Sequence, residues 1–241
     1  MSNNSGARSI WVKICATTSL ADAITAWQTG ADAIGFILDP RSPRYVTPEH
    51  VAAIIQELAR PIERIGVIMN LAVRQAIDLY SRCGMSGVQL HGDESPGFVR
   101  DLRAALPDAR IIKSLRGAST RDELQAAVRL YQQSGADALL LDSHAAGQGG
   151  GTGTRFPWNV AASALQNLDA KLPIIIAGGL SPDNVSDAVN TFHPFGVDVV
   201  TGVEIETGKK DAERVRLFVR NARQAATLVN AGTFALRSSL Q

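Results

Sequence analysis

The chain has 241 residues, a formal net charge of +1 and a hydrophobic fraction of 45%. That length suits one α/β barrel or two smaller domains, and the near-neutral charge, with arginines scattered rather than interleaved with aromatics, argues against a nucleic-acid partner. No apolar run approaches the ~18 residues of a membrane span and residues 1–9 lack the apolar core of a secretory signal, so a soluble cytoplasmic protein with a flexible N-terminal tail and no membrane partner is expected.

Short β-branched runs alternate with longer stretches of helical spacing along the whole chain. Strands are predicted near 10–15, 32–38, 64–69, 86–91, 109–115, 137–142, 173–177 and 197–201. Helices are predicted over 19–29, 47–60, 72–83, 95–106, 119–134, 157–168, 181–192 and 208–225. A weak repeat marks the joints: Gly30-Ala31-Asp32-Ala33-Ile34, Gly135-Ala136-Asp137-Ala138-Leu139, and looser copies at Gly84–Val88 and Gly196–Val200. Glycine at a helix end tolerates positive φ, and the residues after it enter a strand. Thr47-Pro48-Glu49, Ser95-Pro96 and Ser181-Pro182-Asp183 each place a capping hydroxyl before a proline at the first helical position. Eight such units most simply close into a single (β/α)8 TIM barrel, domain 10–225, followed by a C-terminal extension, 226–241. The rival is an open doubly wound sheet, but no Gly-x-Gly-x-x-Gly turn follows the first strand.

Side chains at the carboxyl ends of barrel strands reach the ligand. Cys15 closes the first apolar run and Asp142 the sixth, so both are candidate catalytic residues facing one another across the mouth. Period two puts Lys13 on the face of Cys15, where an ammonium would favour thiolate and draw the thiol below its reference value of about 8.5. Alternatively, Lys13 is a buried barrel residue paired with a carboxylate. Arg44, in Ser42-Pro43-Arg44-Tyr45-Val46 after strand two, offers a fork of donors matching a carboxylate. Cys83 reads as an inert buried thiol. Gln89 and His91 end strand four as candidate pocket residues; His91 has no partner at ligand spacing, so no metal is expected. The alternative reading of Asp142 is a helix cap or a salt-bridge partner.

Gly147–Gly153, with Gly153 at its end, is either a lid or a plain loop. After strand seven, Gly178 and Gly179 precede Leu180-Ser181, and after strand eight come Thr201 and Gly202. Glycines let amides approach an anion, and these two loops are where barrels commonly hold phosphate.

Taken together, these segments resemble phosphoribosylanthranilate isomerase, from about residue 12 to 218. The shared runs are Val12-Lys13-Ile14-Cys15, Gly30–Phe36, Ser42–Val46, Gly66-Val67 with Asn70, Gln89–Glu94, Leu141-Asp142-Ser143, Gly150–Gly153, Ala177–Leu180 and Gly202-Val203-Glu204. The resemblance implies a cofactor-independent Amadori rearrangement in tryptophan biosynthesis on a phosphorylated small-molecule substrate, by a monomer or homodimer. It implies that Asp142 is the general acid, Cys15 the general base and Arg44 the holder of the anthranilate carboxylate. Lys13, Gln89, His91, Gly153 and the two late loops complete the expected substrate-binding set.

The chain departs from the family pattern at Ala16, where glycine is usual, and at Val200-Thr201, where two serines are common. Pro157 also replaces a common aspartate. These departures motivate an alternative, a catalytically impaired paralogue that binds a phosphorylated metabolite. A third option is another phosphosugar enzyme on the same barrel.

Overall fold

A computed structural model describes residues 9–116, 121–142, 162 and 172–238. The N-terminal tail through residue 8, the glycine-rich segment 147–153 and, but for Ala162, the helix expected over 157–168 lie outside the described residues.

Eight parallel strands close into a barrel in chain order: β1 (Trp11–Ile14), β2 (Ala33–Ile37), β3 (Glu63–Ile68), β4 (Gly87–Leu90), β5 (Arg110–Arg116), β6 (Ala138–Asp142), β7 (Ile174–Ala177) and β8 (Gly196–Val199). β8 pairs back onto β1, with Lys13 opposite Asp198, and closure leaves no sheet edge unpaired. Helices α1 (Leu20–Gln28), α2 (Pro48–Leu58), α3 (Val73–Cys83), α4 (Pro96–Ala105), α5 (Arg121–Gln132), α6 (Val185–Phe192) and α7 (Ala212–Ser238) pack outside. Among the described residues no helix is long and apolar enough to cross a membrane.

Strand alternation divides the side chains into two populations. Val12, Ile14, Ile34 and Phe36 point outward into the helix-facing core, while Trp11, Ala33, Ile65, Ile112, Ala138 and Ile175 fill the barrel interior. Trp11 stacks on Phe195 at the amino-terminal end, ring centroids 6.1 Å apart, and closes that end with apolar bulk. The next interior layer upward is polar: Lys13, Gln89, Ser114 and Asp198, all buried. A solid base and a polar middle leave the carboxyl end as the open one.

The glycine–alanine–aspartate repeat proves to be a paired bolt. Asp32 Oδ2 accepts the Val12 amide at 2.7 Å and Arg223 NH2 at 2.7 Å, tying the starts of β1 and β2 to α7. Arg223 also donates to the Ser9 hydroxyl and to the carbonyls of Ile10 and Gly30. Four strands around the ring, Asp137 Oδ2 accepts the Ile111 amide at 2.6 Å and Arg103 NH2, while Arg103 also donates to the Gly135 and Ala109 carbonyls. In both bolts the arginine comes from the helix that precedes the first strand of the pair going round the closed ring, and the glycine, Gly30 at φ +82° or Gly135 at φ +90°, turns its carbonyl toward it. Gly84 likewise ends α3 at φ +67°. The Gly196 copy differs, because Gly196 lies within β8 and His193, at φ +45°, ends α6 in its place.

Thr47 and Ser95 cap α2 and α4 as expected, accepting the His50 and Phe98 amides. Ser181 does not cap a helix. Its hydroxyl accepts the Asp183 amide within a turn, and α6 begins only at Val185. β8 stops at Val199 rather than residue 201, and Thr201–Val203 tightens into a 3₁₀ turn. The helix expected from 208 starts at Ala212, because Glu204–Glu206 (β9) and Lys209–Lys210 (β10) form an antiparallel ribbon turned by Gly208 at φ +80°. α7 then runs to Ser238, past residue 225; its alanine-rich, proline-free sequence favours continuation, and Ala225 is still buried.

Candidate active site

The carboxyl end of the barrel holds a cavity of about 360 Å³, within the ~300–1,000 Å³ range of small-molecule sites. Its lining alternates by strand: Cys15 after β1, Ile37 and Asp39 at the end of β2, Val67 and Met69 from β3, Gln89 and His91 from β4, Leu140 and Asp142 from β6, then the Ala177–Leu180 and Asp198–Thr201 segments. Ile37, Val67 and Met69 on the β2–β3 side and Leu140 and Ala177 on the β6–β7 side opposite give the lining apolar surface on both sides. The thiol, the carboxyl groups and the glycine-rich loops line it as well.

Cys15 is held where β1 turns away. Its amide donates to the Val199 carbonyl at 2.9 Å, the Thr17 amide donates to Gly35 at 2.8 Å, and between them Ala16 sits at φ +60° and fully buried. A left-handed alanine costs roughly 1–2 kcal/mol relative to the right-handed form, so packing on both sides must hold this turn. The Ala16 methyl is accommodated without displacing Cys15 from the cavity wall. Gly35 makes room opposite: a Cβ there would lie 2.6 Å from Cys15 Sγ and 2.9 Å from Lys13 Cε.

Lys13, expected to contact substrate and draw the Cys15 thiol downward, does pull the thiol down but is absent from the cavity lining. It is fully buried beneath the cavity, and its ammonium donates to Asp198 Oδ1 and Gln89 Oε1, each at 2.9 Å. Burial opposes the lysine charge, but the Asp198 carboxylate and the Cys15 sulfur more than offset it, and Lys13 lies above its ordinary range. For Cys15, burial dominates and pushes the thiol up; Lys13 and Lys210 pull it down, and Asp198 counters them. Lys13 is thus buried and paired with a carboxylate, and from there it still pulls Cys15 toward thiolate, though burial outweighs it.

Gln89 is oriented from both ends, accepting from Lys13 while its Nε2 donates to Ser114 Oγ at 3.2 Å. Ser114 Oγ also lies 2.9 Å from His91 Nδ1, which ties the rim histidine to the polar layer. Asp142 ends β6 on the lining, and its charge reaches Asp198.

The two late loops bear on each other directly. Gly178 and Gly179 have φ of +86° and +65°, and Asn184 braces that loop, accepting the Ser181 amide at 2.8 Å and donating to the Gly179 carbonyl at 2.9 Å. Gly202 does not line the cavity. A Cβ at Gly202 would overlap the Leu180 carbonyl, so its role is to let the loops after β7 and β8 touch. Thr201 and Val200 both line the cavity, and Val200 brings no hydroxyl.

Arg44 also stands off the cavity lining. Its Nε and NH2 form a bidentate pair with Glu204, at 2.8 and 2.7 Å, so it is not an unpartnered surface arginine. Gly153 lies outside the described residues. Cys83 is buried, its thiol pushed up to about 11 by desolvation, in keeping with an inert core residue. Among the described residues no cluster of His, Cys, Asp or Glu could hold a metal. Three contributors were not singled out from sequence: Asp198, Gly35 and Ser114. Strand alternation places all three on the interior face, but nothing local says what they meet.

A closed parallel barrel with acid–base side chains and glycine loops around one carboxyl-end pocket defines a (β/α)8-barrel enzyme. Comparison narrows this further. The sequence model described as N-(5'phosphoribosyl)anthranilate (PRA) isomerase matches residues 12–221. The N-(5'-phosphoribosyl)anthranilate isomerase of Geobacter sulfurreducens is 44% identical over 88% of this chain and 98% of its own length. The crystal structure of phosphoribosyl anthranilate isomerase from Thermotoga maritima superposes with a TM-score of 0.78 at 33% identity, covering 89% of this chain and 99% of that one. A crystal structure of phosphoribosyl anthranilate isomerase in complex with reduced 1-(o-carboxyphenylamino)-1-deoxyribulose 5-phosphate gives a TM-score of 0.75 at 32% identity, with the same coverage. The chain belongs to the phosphoribosylanthranilate isomerase family, enzymes of tryptophan biosynthesis.

Proposed function

We propose that this enzyme converts N-(5-phosphoribosyl)anthranilate to 1-(2-carboxyphenylamino)-1-deoxyribulose 5-phosphate with Asp142 as general acid and Cys15 as general base. The observation that carries the assignment is that both side chains line one cavity from β6 and the end of β1, with the glycine loops on the same rim. Asp142 gives its proton to the furanose ring oxygen as the C1–O bond breaks, opening the sugar to a Schiff base. Cys15 takes the C2 proton, and the resulting enolamine tautomerises to the ketone. One proton enters and one leaves, so the sum is an isomerisation.

The buried thiol must ionise to act. Lys13 and Lys210 already pull toward thiolate, and the cationic Schiff base adds a third positive charge beside Cys15 at the step that needs it. Apolar lining residues take the anthranilate ring, Arg44 its carboxylate, and the loops at Gly178-Gly179 and Thr201-Gly202 the phosphate. Gln89 and His91 supply polar contacts in the pocket.

The experiment follows loss of substrate fluorescence in wild type, Cys15→Ala and Asp142→Val. Each variant is expected to lose at least about 10²-fold in kcat, the lower end of what a general acid or base supplies, while still binding the reduced product analogue. Turnover surviving in both variants refutes the two roles.

A further inference from the structure

Among the shared motif residues without a task in the proposed site is Glu204. Glu204 follows the 3₁₀ turn of the loop after β8, and with its side chain 5% exposed its carboxylate faces away from water. It accepts Arg44 Nε at 2.8 Å and Arg44 NH2 at 2.7 Å. From the other side it accepts Lys210 Nζ at 3.3 Å and the Gly208 amide at 3.3 Å. Lys210, itself buried, also donates to the Val200 carbonyl at 3.3 Å, and its backbone amide is fixed by Asp22 Oδ1 at 3.2 Å. The ribbon of β9 and β10 thus clamps a carboxylate against the arginine of the loop after β2.

A guanidinium has two edges able to form paired hydrogen bonds: the side edge, Nε with NH2, and the end, NH1 with NH2. Glu204 occupies the side edge. The end edge remains for a second planar anion, and Arg44 stands beside the pocket, its own amide donating to Ser42 Oγ at 3.1 Å where Ser42 lines the cavity. Burial works against the Glu204 charge, but Arg44 and Lys210 outweigh it, so the clamp stays ionised and Glu204 lies below the ordinary carboxylate range. An arginine fixed in this way binds a carboxylate without first losing the rotamer freedom of its long side chain.

We propose that Glu204, braced by Lys210, is a positioning residue that fixes Arg44 by its side edge and presents the end edge to the aromatic carboxylate of the ligand. This rests on the carboxylate role given to Arg44 above, and the test separates the two. Binding of the reduced product analogue is measured by calorimetry beside the same compound lacking the ring carboxylate, for wild type, Arg44→Ala, Glu204→Gln and the double variant. Glu204→Gln is expected to weaken the carboxylate-bearing ligand about tenfold, in the range of a lost hydrogen bond to a charged group, and to leave the carboxylate-free ligand within about twofold. In the double variant, Glu204→Gln should add nothing to Arg44→Ala.

Glu204→Asp keeps the charge but draws it back by one methylene, and should show a smaller loss with the same ligand selectivity, even where the glutamine variant folds poorly. Equal weakening of both ligands, or no weakening of either, overturns the positioning role. If Arg44→Ala itself fails to discriminate the two ligands, the carboxylate role of Arg44 falls instead.

Discussion

Replacing Asp198 by asparagine preserves shape but strips the Lys13 ammonium of the carboxylate 2.9 Å away, in a layer where Lys13 is fully buried and Asp198 is 5% exposed. Removing one partner of such a pair costs ~3–5 kcal/mol. A second route bounds the loss: the stranded lysine can release its proton, and from an unfolded value of about 10.4 that costs at most ~4.6 kcal/mol at pH 7 and ~1.2 kcal/mol at pH 9.5, at 1.36 kcal/mol per pH unit. In the wild type Lys13 lies above its unfolded value, so its contribution is fully present below about pH 10.4 and is lost only as pH rises through the folded value. In the variant the Asp198 carboxylate no longer offsets burial and the folded value drops, so the unfolded chain binds the extra proton and stability rises with pH across this window. Urea unfolding at both pH values should give a gap of about 3–5 kcal/mol at pH 7 that shrinks to near 1 kcal/mol at pH 9.5. A gap under about 1 kcal/mol at pH 7, or one that widens with pH, would refute the account of Lys13 as a charged strut held by Asp198.

Gly202→Ala drives a methyl into the Leu180 carbonyl and must separate the two late loops. Steady-state kinetics should show KM raised about tenfold or more with a smaller change in kcat, and inorganic phosphate should inhibit more weakly. Gly35→Ala places a Cβ 2.6 Å from Cys15 Sγ; the displaced thiol should cost on the order of 10²-fold in kcat, with binding of the product analogue changed little. Because burial holds the Cys15 thiol above its ordinary value, iodoacetamide should label it slowly at pH 7 and faster as pH rises past about 9. Cys83, buried and pushed up to about 11, should stay unlabelled throughout.

The order of strands and helices, the Thr47 and Ser95 caps, the strand-end positions of Cys15 and Asp142 and the two glycine loops could all be read from the chain. Each follows from contacts within a few residues or from a period-two face, and closure into a ring then brings the strand ends together. The ribbon at Glu204–Lys210 was hidden because its short strands carry no apolar alternation, and the Ser181 turn because its Ser-Pro pair resembles a helix start.

What the chain could not decide was how each buried charge is partnered. Lys13 meets a carboxylate 185 positions away and Arg44 one 160 positions away. A side chain's own neighbours fix which face it occupies, but the sign and strength of its electrostatic environment come from strands that meet only once the barrel has closed. Sequence therefore placed the thiol and the acid at one mouth, while the closed ring determined that burial lifts the thiol, that Lys13 is a strut under the floor, and that Glu204 takes one edge of Arg44.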